Sequence, residues 1–139
     1  LFWRLGAPDG HAKNFSIAWL PLGRYRLTPV YDVMSIWPVE GNGANQFSRH
    51  DVKMAMAVSG RNRHYKLKEI QRRHFNAMAR KCQYGDDAEP LIQHVLAATP
   101  GVIEAVAAKL PAGVPAGGSD RIFAGLSSAA KALEAMASA

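Results

Sequence analysis

DGHAKNFSIAWLPLGRYRLTPVYD, residues 9–32, places two extended segments between two aspartates. The segments FSIAWL (15–20) and YRLT (25–28) are rich in aromatic and other β-favouring residues, and the Pro and Gly of the PLGR between them suit a tight turn. The stretch therefore predicts a β-hairpin. Because a hairpin returns the chain towards its starting point, we expect Asp32 to lie near Asn14 despite their separation in sequence.

Beyond this hairpin the sequence mainly predicts helices. In residues 69–85 (EIQRRHFNAMARKCQYG), Phe75, Met78 and Cys82 recur on one side and the arginines on the other, which indicates an amphipathic helix with a basic outer face. Two polar stretches, 37–46 and 59–68, are expected to form loops. The predicted fold class is mainly α, with one small β-hairpin near the N-terminus.

Three capping signals predict the later helices. Asp87, followed by an acid and a proline, is a candidate N-cap, and Thr99-Pro100 repeats the signal and predicts that a separate helix opens there. Ser119 or Asp120 is expected to cap the last helix, after a linker over residues 111–120. Trp19, Trp37 and Phe75 are expected to pack in the core, with a half-exposed position for one of the two tryptophans as the alternative.

Size and composition fit one domain. A chain of 139 residues with 48% apolar and 20% charged residues can bury a core of its own. No stretch approaches the ~18 uninterrupted apolar residues of a membrane span, so no membrane partner is expected. The single cysteine, Cys82, cannot form an internal disulfide, and a cytoplasmic location is the expectation.

Positive charge is concentrated in the first part of the chain. Residues 1–85 carry fourteen Lys and Arg against five acids, whereas residues 86–139 have a net charge of −3. Such a bias attracts polyanions, although a solvated charged face is an equally good interpretation. The candidate DNA-facing residues are those of the predicted basic helix face: Arg72, Arg73, Arg80 and Lys81.

The opening stretch also carries the side chains that phosphoryl transfer requires. Transfer from ATP needs one carboxylate that positions and deprotonates a hydroxyl, and a separate Asp and Asn that hold Mg²⁺. In protein kinases four residues separate the first Asp from the Asn, and the metal-binding Asp follows later in the chain. Asp9, Asn14 and Asp32 have this order and spacing, but no His-Arg precedes Asp9 and YDV replaces Asp-Phe-Gly.

Three stretches together resemble a known family. DGHAKNFSI, YRLTPVYDVMS and MAMAVSGRNRHYKLKEIQRRHF are similar to the HipA family of bacterial serine/threonine kinases, the toxins of toxin–antitoxin modules linked to growth arrest and persistence. The resemblance runs to about residue 81. It implies that Asp9 is the catalytic base, that Asn14 and Asp32 bind Mg²⁺, and that His11 and Lys13 lie beside the ATP phosphates.

The resemblance also implies an organisation and a set of partners. Residues 1–139 would form the helical C-lobe of a kinase-like fold, with the catalytic loop, hairpin and metal-binding segment in 1–50 and a helical subdomain in 51–139. We expect the N-terminal ATP-binding lobe to be absent from this chain, and the chain alone to be inactive. The implied partners are a protein substrate, typically an aminoacyl-tRNA synthetase, and a DNA-binding antitoxin of the HipB type.

Two other interpretations bear on function. The chain could be a non-catalytic helical module that binds an antitoxin or DNA, with the Asp and Asn residues as remnants. A zinc site is not expected, because no common ligand spacing fits His64, His74, Cys82 and His94.

Overall fold

The structure is a computed structural model that describes residues 1–138. Within this range the chain forms four α-helices and two separate two-stranded antiparallel sheets. The helices are α1 (Phe2–Leu5), α2 (Arg72–Lys81), α3 (Glu89–Ala107) and α4 (Ala116–Ala135). The strands are β1 (Ile17–Trp19), β2 (Tyr25–Leu27), β3 (Lys53–Ser59) and β4 (Arg63–Lys66).

The predicted hairpin is confirmed. Strands β1 and β2 pair antiparallel, with Ile17 opposite Leu27 and Trp19 opposite Tyr25. The turn between them uses left-handed backbone at Leu22 and Gly23, a conformation that Gly adopts without steric cost.

A second hairpin is present that the sequence did not predict. Strand β3 pairs with β4, and β4 lies inside the stretch 59–68 that was predicted to be a loop. Three of the four residues of its sequence, RHYK, are exposed, and the strand shows no alternation of apolar and polar residues. An exposed polar strand of this kind cannot be distinguished from a loop in the sequence, and it forms a strand here because it pairs with β3.

Helix α2 exists where it was predicted, but its buried side is not the predicted one. Phe75 packs against the core, whereas Met78 and Cys82 are exposed. The side chains buried along this helix are mostly polar: Arg72, His74, Asn76 and Ala79. Apolar periodicity could not reveal a helix face that is buried through hydrogen bonds.

The predicted helix start at Thr99-Pro100 is wrong, because Pro100 lies inside the continuous helix α3. The Thr99 hydroxyl donates to the Val95 carbonyl at 2.7 Å, and the buried Arg4 guanidinium reaches the same carbonyl and the Thr99 hydroxyl. These bonds hold the backbone just before the proline, where the helix is weakened by the missing amide. The last helix also starts earlier than predicted, at Ala116.

Trp37 is the residue around which the elements pack. It is buried, and its indole nitrogen donates to the Arg4 carbonyl at 3.2 Å. Two glycines make room for the ring. A Cβ on Gly6 would lie 2.6 Å from the nearest ring atom, and a Cβ on Gly125 would lie 2.3 Å from it. This packing joins α1 and α4 to the turn that carries Trp37.

Helix α3 is long and apolar enough, by length and composition alone, to cross a membrane. It is the one helix within residues 1–138 that reaches this measure, and core helices of soluble proteins also pass it. The helix packs against α4, with Ile92 and Thr99 buried, while Leu91, Val102 and Val106 remain exposed.

Candidate functional site

Asn14 joins the two ends of the first hairpin. Its side-chain nitrogen donates to the carbonyl oxygens of Tyr31 and Asp32 at 2.9 and 3.0 Å, and its side-chain oxygen accepts the His11 amide at 2.7 Å. The residue is only 2% exposed. The structure thus brings Asn14 beside the backbone of Asp32, as the hairpin predicts.

Asp32 sits at a turn with unusual backbone geometry. Its φ of 55° is left-handed, which Asp tolerates better than most residues do. The residue is exposed, and among residues 1–138 its carboxylate makes no hydrogen bond or ion pair. The main chain of Asp32 is therefore held by Asn14 while its carboxylate is available to a ligand.

Tyr31 fastens the same turn to the first loop, a role that the sequence did not indicate. Its hydroxyl donates to the Lys13 carbonyl at 2.8 Å and lies 2.7 Å from the Ser16 hydroxyl. The Tyr31 amide also donates to the Asn14 carbonyl at 3.4 Å. The segment around residue 31 is thus tied to the loop of residues 11–16 by side-chain and main-chain bonds.

Asp9 precedes Asn14 by five residues, in a loop fixed by its backbone. The Pro8 carbonyl accepts the Ala55 amide at 2.6 Å, and the Gly10 amide donates to the Ala7 carbonyl at 3.1 Å. Asp9 itself is exposed, and its carboxylate has no hydrogen-bond partner within the described chain. The loop thus presents Asp9 on a fixed backbone with a free acceptor.

The two predicted phosphate neighbours differ in their surroundings. Lys13 is exposed. His11 is partly buried, and its Nδ1 atom is shielded from solvent without a hydrogen-bond partner in the described part of the chain. A buried ring nitrogen without a partner costs free energy, so a ligand that supplied one would be favoured there.

The first hairpin exposes an apolar face beside these residues. Ile17, Trp19, Tyr25 and Leu27 point to one face of the two-stranded sheet and are all more than half exposed. Trp19, expected in the core, is 77% exposed and meets Tyr25 edge-to-face at 6.1 Å. Contiguous exposed apolar surface of this kind marks interaction sites in soluble proteins.

The predicted basic face of α2 needs one correction. Arg73, Arg80 and Lys81 are exposed as expected, but Arg72 is 7% exposed and forms an ion pair with Glu89. Arg72 also points towards the carbonyls of Leu133 and Glu134. Its guanidinium therefore binds partners inside the protein and is not part of a DNA-facing surface.

The Arg72–Glu89 pair is the centre of a polar network that the sequence did not reveal. Asn76 donates to the Glu89 carboxylate at 2.8 Å and to the Ser138 carbonyl at 2.7 Å, and accepts the Ala88 amide at 3.1 Å. Hydrogen bonds from Arg72 and Asn76 hold the pKa of Glu89 below its ordinary value, and the Glu89 bond raises the pKa of Arg72. The network fastens α2 to the start of α3.

No group of three or more His, Cys, Asp and Glu side chains within residues 1–138 is arranged to hold a metal ion. The histidines whose spacing did not fit a zinc site include a stacked pair. The rings of His64 and His74 lie 3.7 Å apart and are inclined by 5°.

The chain matches a known protein family over most of its length. The model of a family described as the HipA-like C-terminal domain matches residues 1–103 of the chain. The match covers both loops that carry Asp9, Asn14 and Asp32, together with both hairpins, α2 and most of α3.

Proposed function

Because the chain belongs to the family of HipA-like C-terminal domains, we propose that it is the catalytic C-terminal portion of a protein serine/threonine kinase. HipA-family proteins are generally serine/threonine kinase toxins of toxin–antitoxin modules. The observation that carries the proposal is the Asn14 side chain, which links the loop after Asp9 to the backbone of Asp32. A kinase needs these three residue types on adjoining loops.

The roles follow from the surroundings of each residue. Asp9 has a free, exposed carboxylate on a fixed loop, so it accepts the proton of the substrate hydroxyl as the phosphoryl group is transferred. Asp32 presents a second free carboxylate, suited to binding Mg²⁺. Mg²⁺, when bound, neutralises the charge on the phosphate oxygens of ATP.

Asn14 fits the metal site less directly than the two aspartates do. Its nitrogen is used by two carbonyls, and its oxygen already accepts the His11 amide, which leaves one lone pair on a nearly buried atom. We assign Asn14 first to positioning Asp32, and second to the metal through that remaining lone pair. His11 and Lys13 are assigned to the neighbourhood of the phosphates.

The remainder of the ATP site is proposed to come from a nucleotide-binding lobe outside this chain. The exposed apolar hairpin face is the surface assigned to that lobe, because the hairpin connects the two loops of the site along the chain and its four apolar side chains are each more than half exposed. The isolated chain is accordingly expected to be inactive, since positioning and charge stabilisation supply most of the catalysis.

Phosphorylation by the complete kinase that contains this domain tests the proposal. Asp9→Asn and Asp32→Asn should each reduce phosphoryl transfer to a protein substrate at least about 100-fold, as loss of a base or a metal ligand does. Asp51→Asn, at another exposed loop aspartate, is the matched control and should retain activity. Activity retained by both site variants would remove the catalytic assignment.

A second candidate function, binding DNA phosphates in an antitoxin complex, is favoured by the three exposed cations of α2: Arg73, Arg80 and Lys81. Contacts of this type supply affinity that falls with salt and carries no base sequence. Duplex DNA titrated at rising salt should bind Arg73→Ala and Arg80→Ala variants more weakly and with a shallower salt dependence. An affinity unchanged by both substitutions would exclude this face.

A further inference from the structure

An open cleft of about 740 Å³ lies between α2 and the turn that joins β3 to β4, away from the Asn14 loops. Arg61 and His64 line it from the hairpin, and Arg73, His74 and Arg80 line it from the helix. Three arginines and two imidazoles from separate segments thus converge on one concavity.

The positive charge of this cleft is not cancelled by its own acids. Glu89 lines the cleft but is already paired with Arg72, and Asp87 accepts the Glu89 amide at 2.9 Å. Within residues 1–138 the guanidinium groups of Arg61 and Arg73 form neither a hydrogen bond nor an ion pair. Arg80 donates to the Asp86 carbonyl at 3.0 Å.

The stacked imidazoles add a hydrogen-bond donor to the cleft. His64 and His74 lie face to face at 3.7 Å. His74 accepts the Gln71 amide at Nδ1 at 3.2 Å, so its Nε2 atom carries the proton and can donate to an anion. Burial, followed by the charges of His64 and Arg73, lowers the pKa of His74, and a bound anion would raise that pKa again.

We propose that this cleft binds the terminal phosphate of a phosphate monoester or inorganic phosphate. A monoester phosphate carries about −1.5 to −2 charges at neutral pH and has three acceptor oxygens, which suits several donors converging on one point. Duplex DNA instead presents phosphates that each carry a single negative charge and are spread along the strand. The proposal is independent of the kinase assignment, and it competes with the DNA-binding candidate for Arg73 and Arg80.

The test is a titration of the chain with sodium phosphate at pH 7, at constant ionic strength balanced with chloride. Histidine ring signals in NMR spectra report the site, because His64 and His74 line the cleft whereas His50 and His94 do not. We expect saturable shifts of His64 and His74 without shifts of His50 and His94, and a raised pKa of His74 at saturation; the His11 signal, from the loop assigned to the ATP phosphates, is followed separately. Circular dichroism verifies the fold of each variant.

Matched variants locate the binding. Arg73→Gln should weaken phosphate binding about tenfold, as loss of a charge-assisted hydrogen bond predicts. Asp87→Asn keeps a capping oxygen and removes a negative charge, so it should tighten binding. Arg26→Gln, at an exposed arginine of the first hairpin, should change nothing.

Three outcomes would overturn the proposal. The first is an absence of saturable shifts at constant ionic strength. The second is an equal loss of affinity in Arg26→Gln and Arg73→Gln, which would indicate non-specific attraction. The third is movement of the His64 and His74 signals with duplex DNA but not with phosphate, which would make the cleft a DNA contact.

Discussion

The side-chain nitrogen of Asn14 donates to the carbonyl oxygen of Asp32 at 3.0 Å, and this bond spans the whole first hairpin. Two loops separated by eighteen residues are thereby held together through a nearly buried side chain. The bond uses the backbone of Asp32 and leaves its carboxylate free. Asn14 therefore holds the turn in place, whereas Asp32 supplies the free carboxylate. Substitutions at the two residues should accordingly have different effects.

Asn14→Asp and Asp32→Asn should differ in their consequences for stability. Asn14→Asp replaces a donor to two carbonyls by a carboxylate, so we expect a loss of about 2–3 kcal/mol in the free energy of unfolding. Asp32→Asn alters an exposed side chain and should change stability by less than about 0.5 kcal/mol. Urea denaturation of the two variants measures the difference, and equal losses would contradict the division of roles.

The ion pair between Arg72 and Glu89 should make stability dependent on pH. Because the pKa of Glu89 is lowered by folding, its contribution is complete above the ordinary value of 4.5 and is lost as pH falls through the lower folded value. Glu89→Gln should cost about 2–3 kcal/mol at pH 7, since it leaves a buried arginine without its counter-charge. The cost should shrink as the pH falls below 4.5.

Urea denaturation of the wild-type and Glu89→Gln proteins at about pH 7 and about pH 3 checks this expectation, because urea, unlike guanidinium chloride, adds no salt that screens the ion pair. Glu104→Gln, at an exposed glutamate of the same helix, is the control and should be neutral at both values. If Glu89→Gln lost the same free energy of unfolding at both pH values, the stability of the protein would not depend on the protonation of Glu89.

Gly125 should tolerate no side chain, because a Cβ there would lie 2.3 Å from the Trp37 ring. We expect Gly125→Ala to destabilise the protein by about 1–3 kcal/mol through overpacking. A Cβ added to Gly101, in helix α3, would meet no atom within 4 Å, so Gly101→Ala should stabilise by about 0.5–1 kcal/mol. Thermal unfolding compares the two variants. If both substitutions destabilised the protein, the clash with the Trp37 ring would not be the reason for the effect at Gly125.

Local signals predicted the parts of the fold that local chemistry decides. The Pro and Gly of residues 21–23 mark the first turn, and the hairpin then returns Asp32 to Asn14 as the sequence predicts. The exposed Trp19 shows the limit of this reasoning, since an apolar residue on a two-stranded sheet is buried only if another element covers it.

Long-range partners decided the features that the sequence did not predict. Pro100 sits within a helix that is reinforced by Arg4, a residue more than ninety positions earlier. Arg72 is buried because Glu89 meets it across the turn between two helices. In each case a single side chain reverses a local preference, and such a pairing leaves no periodic pattern in the sequence.

The position of Mg²⁺ in the proposed complete kinase tests the central claim most directly. A crystal structure with Mg²⁺ and a non-hydrolysable ATP analogue should show an Asp32 carboxylate oxygen at about 2.1 Å from the metal, the usual Mg²⁺–oxygen distance. Asp9 should then lie within hydrogen-bond reach of the hydroxyl to be phosphorylated. A metal bound to the nucleotide with the Asp32 carboxylate remaining in solvent would contradict the account.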